Sequence, residues 1–296
     1  NNVYNEFCEY LGKHPDSVKQ LEDIPFLPIE FFKSQKVLSG NREHEIVFSS
    51  SGTTGNVTSK HFVSSLSLYQ QSYLQGFSKF YGNIEEYCIL ALLPSYLERS
   101  GSSLIYMVND FIEKSGHSES GFYLDEISSL HAKLQQLDAA GQKTILIGVS
   151  FALLDFVEKH PMKLKNTVIM ETGGMKGRRK EMIRAELHET LSKGFGVENV
   201  HSEYGMTELL SQAYSKGDGI FQTPPWMKIL VRDTEDPLSL QKSGKTGGLN
   251  VIDLANVNSC SFIATQDLAK SNSDESFEIL GRFDNSDIRG CNLMVL

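Results

Sequence analysis

Thr144-Ile145-Leu146-Ile147-Gly148-Val149 is a continuous apolar run. A helical segment follows over 150–159, and then a second β-branched run, Asn166-Thr167-Val168-Ile169-Met170. A strand apolar at every position leaves no face for water, the mark of a strand covered on both sides. Strand, helix and strand at this spacing predict a parallel βαβ unit. The pattern extends upstream. A helix is expected over 64–80, with Leu66, Leu68, Tyr73, Leu74 and Phe77 as its apolar positions. Next come the run Cys88-Ile89-Leu90-Ala91-Leu92-Leu93, ending at Pro94, and helices over about 102–115 and 124–139. Downstream, the strand from Asn166 runs into Glu171-Thr172-Gly173-Gly174, and a charged helix is expected near Lys180. The expected fold class is α/β, a large parallel sheet flanked by helices, with ligands gathering at the carboxyl ends of its strands.

The two ends of the chain read differently. Residues 3–12 have helical spacing with Gly12 as the stop. Ile24–Phe32 is a Pro-punctuated apolar arm whose phenylalanines read as core. From about 227, shorter β segments (227–232, 248–253, 260–264 and 277–281) predict a smaller, mostly antiparallel subdomain. At 296 residues, 40% hydrophobic and 22% charged, the chain has the composition of a soluble globular protein. Its net charge of -9 argues against a nucleic-acid partner, because a phosphate backbone needs a basic face. No apolar run approaches membrane-spanning length, and no signal-peptide core opens the chain. Cys8, Cys88, Cys260 and Cys291 lie far apart without a metal-type pair, so free thiols and a cytoplasmic setting are expected. The opening Asn in place of Met leaves room for residues in front.

Phe48-Ser49-Ser50-Ser51-Gly52-Thr53-Thr54-Gly55, with Lys60 shortly after, is the stretch richest in chemistry. Inward backbone N–H groups and Ser/Thr hydroxyls can form an anion-binding concavity, and a lysine can add a point charge on a phosphate. Two better-known motifs fail. Gly244-Lys245-Thr246 has a P-loop ending, but Ser239 stands where the first glycine belongs. Gly148-Val149-Ser150-Phe151-Ala152 lacks the last glycine of a nucleophile elbow.

Further stretches stand at predicted strand ends: Thr172-Gly173-Gly174, Ser202-Glu203-Tyr204-Gly205-Met206-Thr207-Glu208, Thr265-Gln266-Asp267-Leu268, and Gly281-Arg282-Phe283-Asp284 with Asp287-Ile288-Arg289-Gly290. Read singly they are turns, core tyrosine and solvated charges. In this order, with the Ser/Thr/Gly loop, they resemble the adenylate-forming superfamily of acyl-CoA synthetases, luciferases and peptide-synthetase adenylation domains. The Pro-rich arm and the ending Asp287-Ile288-Arg289-Gly290-Cys291 look most like the LuxE-type acyl-protein synthetases that activate long-chain fatty acids. The resemblance implies that Ser50, Ser51, Gly52, Thr53, Thr54 and Gly55 wrap the ATP phosphates. Lys60 is a looser match to the family's loop lysine, because Val57-Thr58-Ser59 replace its usual ending. Gly173 and Gly174 would lie against adenine, Tyr204 and Gly205 would face the purine, and Thr207 would reach the α-phosphate. Glu208 would bind Mg²⁺, Asp267 the ribose hydroxyls, and Arg282 the ribose or phosphate side. His61 and His201 lie beside motifs and read equally well as structural.

The implied reaction joins a carboxylic acid to AMP, releases pyrophosphate, and passes the acyl group to a thiol. An apolar acyl pocket would lie near Tyr96, Ser150 and Met175. Residues 1–281 would form the large domain and 282–296 a hinge with a short remnant. The chain ends 14 residues after Arg282, so the catalytic lysine of the superfamily's mobile C-terminal domain has no counterpart in it. The acceptor is therefore open between Cys291 itself, coenzyme A as in an acyl-CoA synthetase whose C-terminal domain is missing, and an acyl-acceptor protein. A non-catalytic nucleotide- or acyl-binding module is the reading from another class.

Overall fold

The computed structural model describes residues 1–50, 57–93, 101–123, 126–173, 179 and 182–283. In chain order its strands are β1 (Leu27–Pro28), β2 (Ile46–Ser49), β3 (Lys60–Val63), β4 (Cys88–Leu92), β5 (Gly121–Phe122), β6 (Thr144–Val149) and β7 (Thr167–Thr172). They continue with β8 (His201–Tyr204), β9 (Ala213–Ser215), β10 (Ile220–Gln222), β11 (Met227–Arg232), β12 (Thr246–Asp253), β13 (Phe262–Ser271) and β14 (Phe277–Arg282). The helices are α1 (Asn2–Tyr10), α2 (Phe31–Ser34), α3 (Leu66–Tyr81), α4 (Ser103–Ser115), α5 (Ile127–Ala139), α6 (Ser150–Lys159) and α7 (Arg184–Phe195).

The apolar runs form the parallel half of one sheet. β4, β6, β7 and β8 lie side by side in parallel, with β5 beyond β4. Every residue of β4 and β6 is buried, as two-sided coverage requires. In register, Leu92 lies opposite Gly148 and Val149 opposite Thr172, so these carboxyl ends share one edge. Their core continues into Tyr69, Tyr73 and Phe77 of α3, Met107, Val108 and Phe111 of α4, and Phe156 of α6. Helix ends follow local rules. Ser65 caps α3 through its hydroxyl, and the left-handed Gly116 ends α4.

The tail strands pair antiparallel, as expected, but they continue the same hydrogen-bonded sheet, in the order β11-β12-β13-β14-β10-β9-β8. They cover a second core of Leu27, Phe32, Tyr204, Phe221, Leu249, Ile263 and Phe277. The Pro-rich arm is less irregular than expected. Leu27 and Pro28 pair in parallel with Ile263 and Ala264, and Phe26 and Phe32 are core.

The expected strand at 260–264 is instead β13, ten residues long, so Thr265 and Asp267 stand within it rather than after its end. Its inward face reads Ile263, Thr265, Asp267, Ala269, and two polar inward residues break the apolar alternation that signals a strand. The charged helix begins at Arg184; Lys180 lies outside the described residues. The pairing of β2 with β3 was not legible, because β3 (Lys-His-Phe-Val) carries two polar residues in four. Among the described residues no helix is long and apolar enough to cross a membrane.

Candidate active site

The site is built where β3, β8, β13 and β14 meet the segment after β8. β2 and β3 pair as far as Ser49 opposite Lys60, so Ser50 and Ser59 face each other across the mouth of the hydroxyl-rich loop. The Ser50 backbone N–H donates to the Ser59 carbonyl (3.1 Å), and the Ser59 N–H donates to Ser50 Oγ (2.9 Å). Lys60 is exposed. Ser51, Gly52, Thr53, Thr54 and Gly55 lie outside the described residues, as do Gly174, Tyr96, Met175 and Cys291.

Ser59 ties this mouth to Glu208 by a hydrogen bond to its carboxylate. Glu208 is buried, and burial pushes its carboxyl above the ordinary range; Ser59, its own backbone N–H and the Arg282 charge counter this only in part. Asp267, Tyr204 and Arg282 form one unit. Tyr204 Oη donates to Asp267 Oδ2 at 2.7 Å, and Arg282 Nε donates to Asp267 Oδ1 at 3.1 Å. Opposite Asp267 in the β13–β14 ladder stands Arg282 itself. The ion pair is one-sided: the Asp267 side chain is 7% exposed and that of Arg282 74%. Solvent around the guanidinium screens the pair; its consequence is to aim the guanidinium. The Tyr204 ring packs edge-on against Phe221 and Phe277, and its buried hydroxyl is held protonated by burial and by Asp267.

A second cluster lies at the ends of β6, β7 and β8. Thr172 Oγ1 donates to Glu203 Oε2 (2.5 Å), bridging the strand that leads to Gly173 and the strand that leads to Gly205. Gly205 passes close to the buried Glu203 carboxylate: a Cβ there would stand 2.5 Å from Glu203 Oε1, so that side chain would have to shift. Gly173 turns the chain out of β7 with φ +66°, and its carbonyl accepts from Ser150 Oγ at 3.1 Å. Ser150 Oγ also reaches Glu171 Oε2 (3.3 Å), while Arg184 Nε and His188 Nε2 stand 3.3 and 3.5 Å from Glu171 Oε1. Burial alone would raise the Glu171 carboxyl, but His188, Arg184 and Ser202 outweigh it and hold the group below its usual range. Among the described residues no cation pairs with Glu203. Burial, with the Glu171 charge adding to it against the Thr172 bond, pushes its carboxyl up to about 7.

Of the residues picked out in the sequence, the fold therefore gathers Ser50, Thr207, Glu208, Tyr204, Asp267 and Arg282 around one place. Gly173, Ser150 and Gly205 stand at the adjoining strand ends. Sequence reasoning missed Ser59 and Thr172, though both stand within quoted stretches. It also missed Asn256, whose side chain donates to the Glu208 carbonyl from 48 residues away and which carries no local signal. His201 is structural: its Nδ1 is 3.1 Å from Tyr81 Oη, and burial lowers its pKa to about 4. Among the described residues no three His, Cys, Asp or Glu side chains converge as a metal cage.

Several solved structures share this architecture. A 2-hydroxyisobutyryl-CoA ligase in its postadenylation state aligns with a TM-score of 0.64 at 13% identity, covering 95% of this chain and 63% of that one. ATP-bound MatB from Rhodopseudomonas palustris gives 0.57 at 17% identity, covering 82% and 49%. O-succinylbenzoate coenzyme A synthetase (MenE) from Bacillus subtilis, in complex with ATP and magnesium ion, gives 0.54 at 17%, covering 80% and 49%. The chain spans about half the length of MatB and MenE. No curated protein matches the sequence. The family model of the LuxE acyl-protein synthetases matches residues 1–296, and the chain belongs to that family.

Proposed function

We propose that this chain activates a hydrophobic, fatty-type carboxylic acid with ATP to give acyl-AMP and pyrophosphate, and then delivers the acyl group to a thiol. The observation that carries this reading is the convergence of the loop mouth (Ser50, Ser59), Glu208, and the Tyr204–Asp267–Arg282 unit on one site. A substrate carboxylate oxygen attacks the α-phosphorus, the bond to the β-phosphate oxygen breaks, and pyrophosphate leaves with the electron pair. The nucleophile is already ionised, so the protein's work is positioning and charge stabilisation rather than proton transfer. Asp267, held by Tyr204 and Arg282, presents acceptor oxygens suited to ribose hydroxyls. Arg282 offers an exposed guanidinium to the phosphate side, and Thr207 would offer its hydroxyl to the α-phosphate.

Glu208 fits a divalent cation on its own environment: a buried carboxylate whose ionised form is disfavoured gains when a cation stands beside it. A single protein carboxylate also suits Mg²⁺, which takes most of its oxygens from phosphates and water. When bound, Mg²⁺ would neutralise charge on the triphosphate. For the second half, the sequence offers Cys291 as the thiol, with Arg289 two residues away to favour its thiolate. The wide spacing of the cysteines in the sequence supports a reducing, cytoplasmic setting.

The test is carboxylate-dependent exchange of labelled pyrophosphate into ATP across a panel of acids. Exchange with long-chain acids is expected, and none with any acid would sink the adenylation reading. Labelled fatty acid plus ATP should leave label on the denatured protein, abolished by Cys291→Ser. Label found only on added coenzyme A would place the acceptor outside the chain.

A further inference from the structure

Residues 205–210, which include Thr207 and Glu208, form no helix or strand, so no backbone ladder sets their conformation. Buried side chains from elsewhere do. His61 Nδ1 is 2.8 Å from the Thr207 carbonyl, and Asn256 Nδ2 donates to the Glu208 carbonyl at 2.7 Å. Asp253 accepts from the backbone N–H of Leu210 (2.9 Å) and Ser211 (3.0 Å), and from Ser211 Oγ (2.6 Å). His61, Asn256 and Asp253 are all fully buried. His61 differs from the other two in its origin: it lies on β3, two residues past Ser59, on the strand that leaves the loop mouth.

We infer that His61 is a positioning residue that locks the strand leaving the phosphate loop to the Thr207–Glu208 segment, with Asn256 gripping the next carbonyl. The inference rests on the reading of Thr207 and Glu208 as the residues that face the nucleotide. A carbonyl can only accept, so His61 carries its proton on Nδ1 and Nε2 is an acceptor. Burial keeps the ring neutral at physiological pH by holding its pKa down to about 4, against the raising effect of the Thr207 bond. Nε2 has no partner among the described residues, and neither do the hydroxyls of Ser64 and Ser259. These three side chains line one cavity of about 10 Å³, the size that suits one bridging water. Phe32 packs edge-on against the ring at 5.5 Å, so the imidazole is fixed in plane as well as in tautomer. A histidine that only filled core would not need its donor aimed at this carbonyl. The consequence is mechanical coupling: displacement of β3 is transmitted to the carbonyl beside Glu208, and the two halves of the site keep their spacing.

Three variants of the full chain separate this role from simple packing. His61→Asn keeps a donor near the Nδ1 position, His61→Gln moves it outward to where Nε2 lies, and His61→Ala removes it. In pyrophosphate exchange, kcat is expected to stay within about threefold of wild type for Asn and to fall roughly tenfold or more for Gln and Ala. KM for ATP should stay within about twofold in all three, because misplacement acts on the transition state more than on ground-state binding. Hydrogen–deuterium exchange gives a readout independent of turnover. Amides of 205–211 should exchange faster in the Gln and Ala variants and as in wild type for Asn, with β6 and β7 equally protected in all. Asn256→Asp, which removes the second donor at constant volume, should loosen the same amides. Equal behaviour of the Asn and Gln variants, or loosening that spreads into β6 and β7, overturns the inference. Absence of exchange by the wild type would instead strike the functional reading, and the amide measurement would still decide the role of His61.

Discussion

Replacing Glu203 by Gln isolates the cost of burying a carboxylate that pairs with no cation among the described residues. The folded environment lifts this group from 4.5 to about 7. Between those values the folded state binds a proton that the unfolded state releases, so stability falls as pH rises through that window. Each pKa unit corresponds to about 1.4 kcal/mol, which places the full cost at about 3 kcal/mol at pH 8 and near zero at pH 4. The groups that face Glu203 come from each neighbouring element: Thr172 from β7, Tyr69 and Tyr81 from α3, Tyr214 from β9, and Glu171 beyond. Gln keeps an oxygen to accept from Thr172 and carries no charge at any pH. The variant is therefore expected to match wild type near pH 4 and to exceed it progressively up to pH 8, by up to about 3 kcal/mol. Urea unfolding of both proteins at several pH values reads the difference directly, and unrelated titrations cancel in the subtraction. A difference that is flat with pH, or that shrinks as pH rises, would refute the assignment of the shift to this buried carboxyl.

The other expectations are sharper in direction than in size. Tyr204→Phe keeps the ring and removes the hydroxyl that holds Asp267 Oδ2, so KM for ATP should rise about fivefold, the worth of roughly 1 kcal/mol, with kcat little changed; an unchanged KM would detach Asp267 from nucleotide binding. Gly205→Ala drives a methyl against Glu203 Oε1 and should cost about 1–3 kcal/mol in urea unfolding; it should cost much less in a Glu203→Ala background, where the obstructing carboxyl is gone. Glu208→Gln should abolish Mg²⁺-dependent pyrophosphate exchange while leaving stability at pH 8 equal or higher, since burial disfavours the charge it removes.

The expectations that held were those carried by periodicity within a short window. β4, β6 and α6 fall where their apolar runs placed them, because two-sided burial demands an unbroken apolar strand. β13 was clipped at the point where Thr265 and Asp267 turn inward, the same residues that bring polar chemistry to the site. Sites violate apolar patterning where they hold function, so the pattern is least legible there. The motifs at Tyr204–Glu208 and Asp267 were legible as stretches, but that Tyr204 meets Asp267 through its hydroxyl was not: 63 residues separate them.

By itself the sequence determined an α/β chain with parallel strands and an antiparallel tail, together with the order of motifs that marks its family. Those properties reside in local periodicity and in short runs of residue types. Tertiary structure alone decided that tail and parallel strands share one sheet, that Glu203 is buried beside a second carboxylate, and that His61 and Asn256 grip the backbone of Thr207 and Glu208. Burial and contact between distant residues depend on how the whole chain packs, and no window of sequence contains that information.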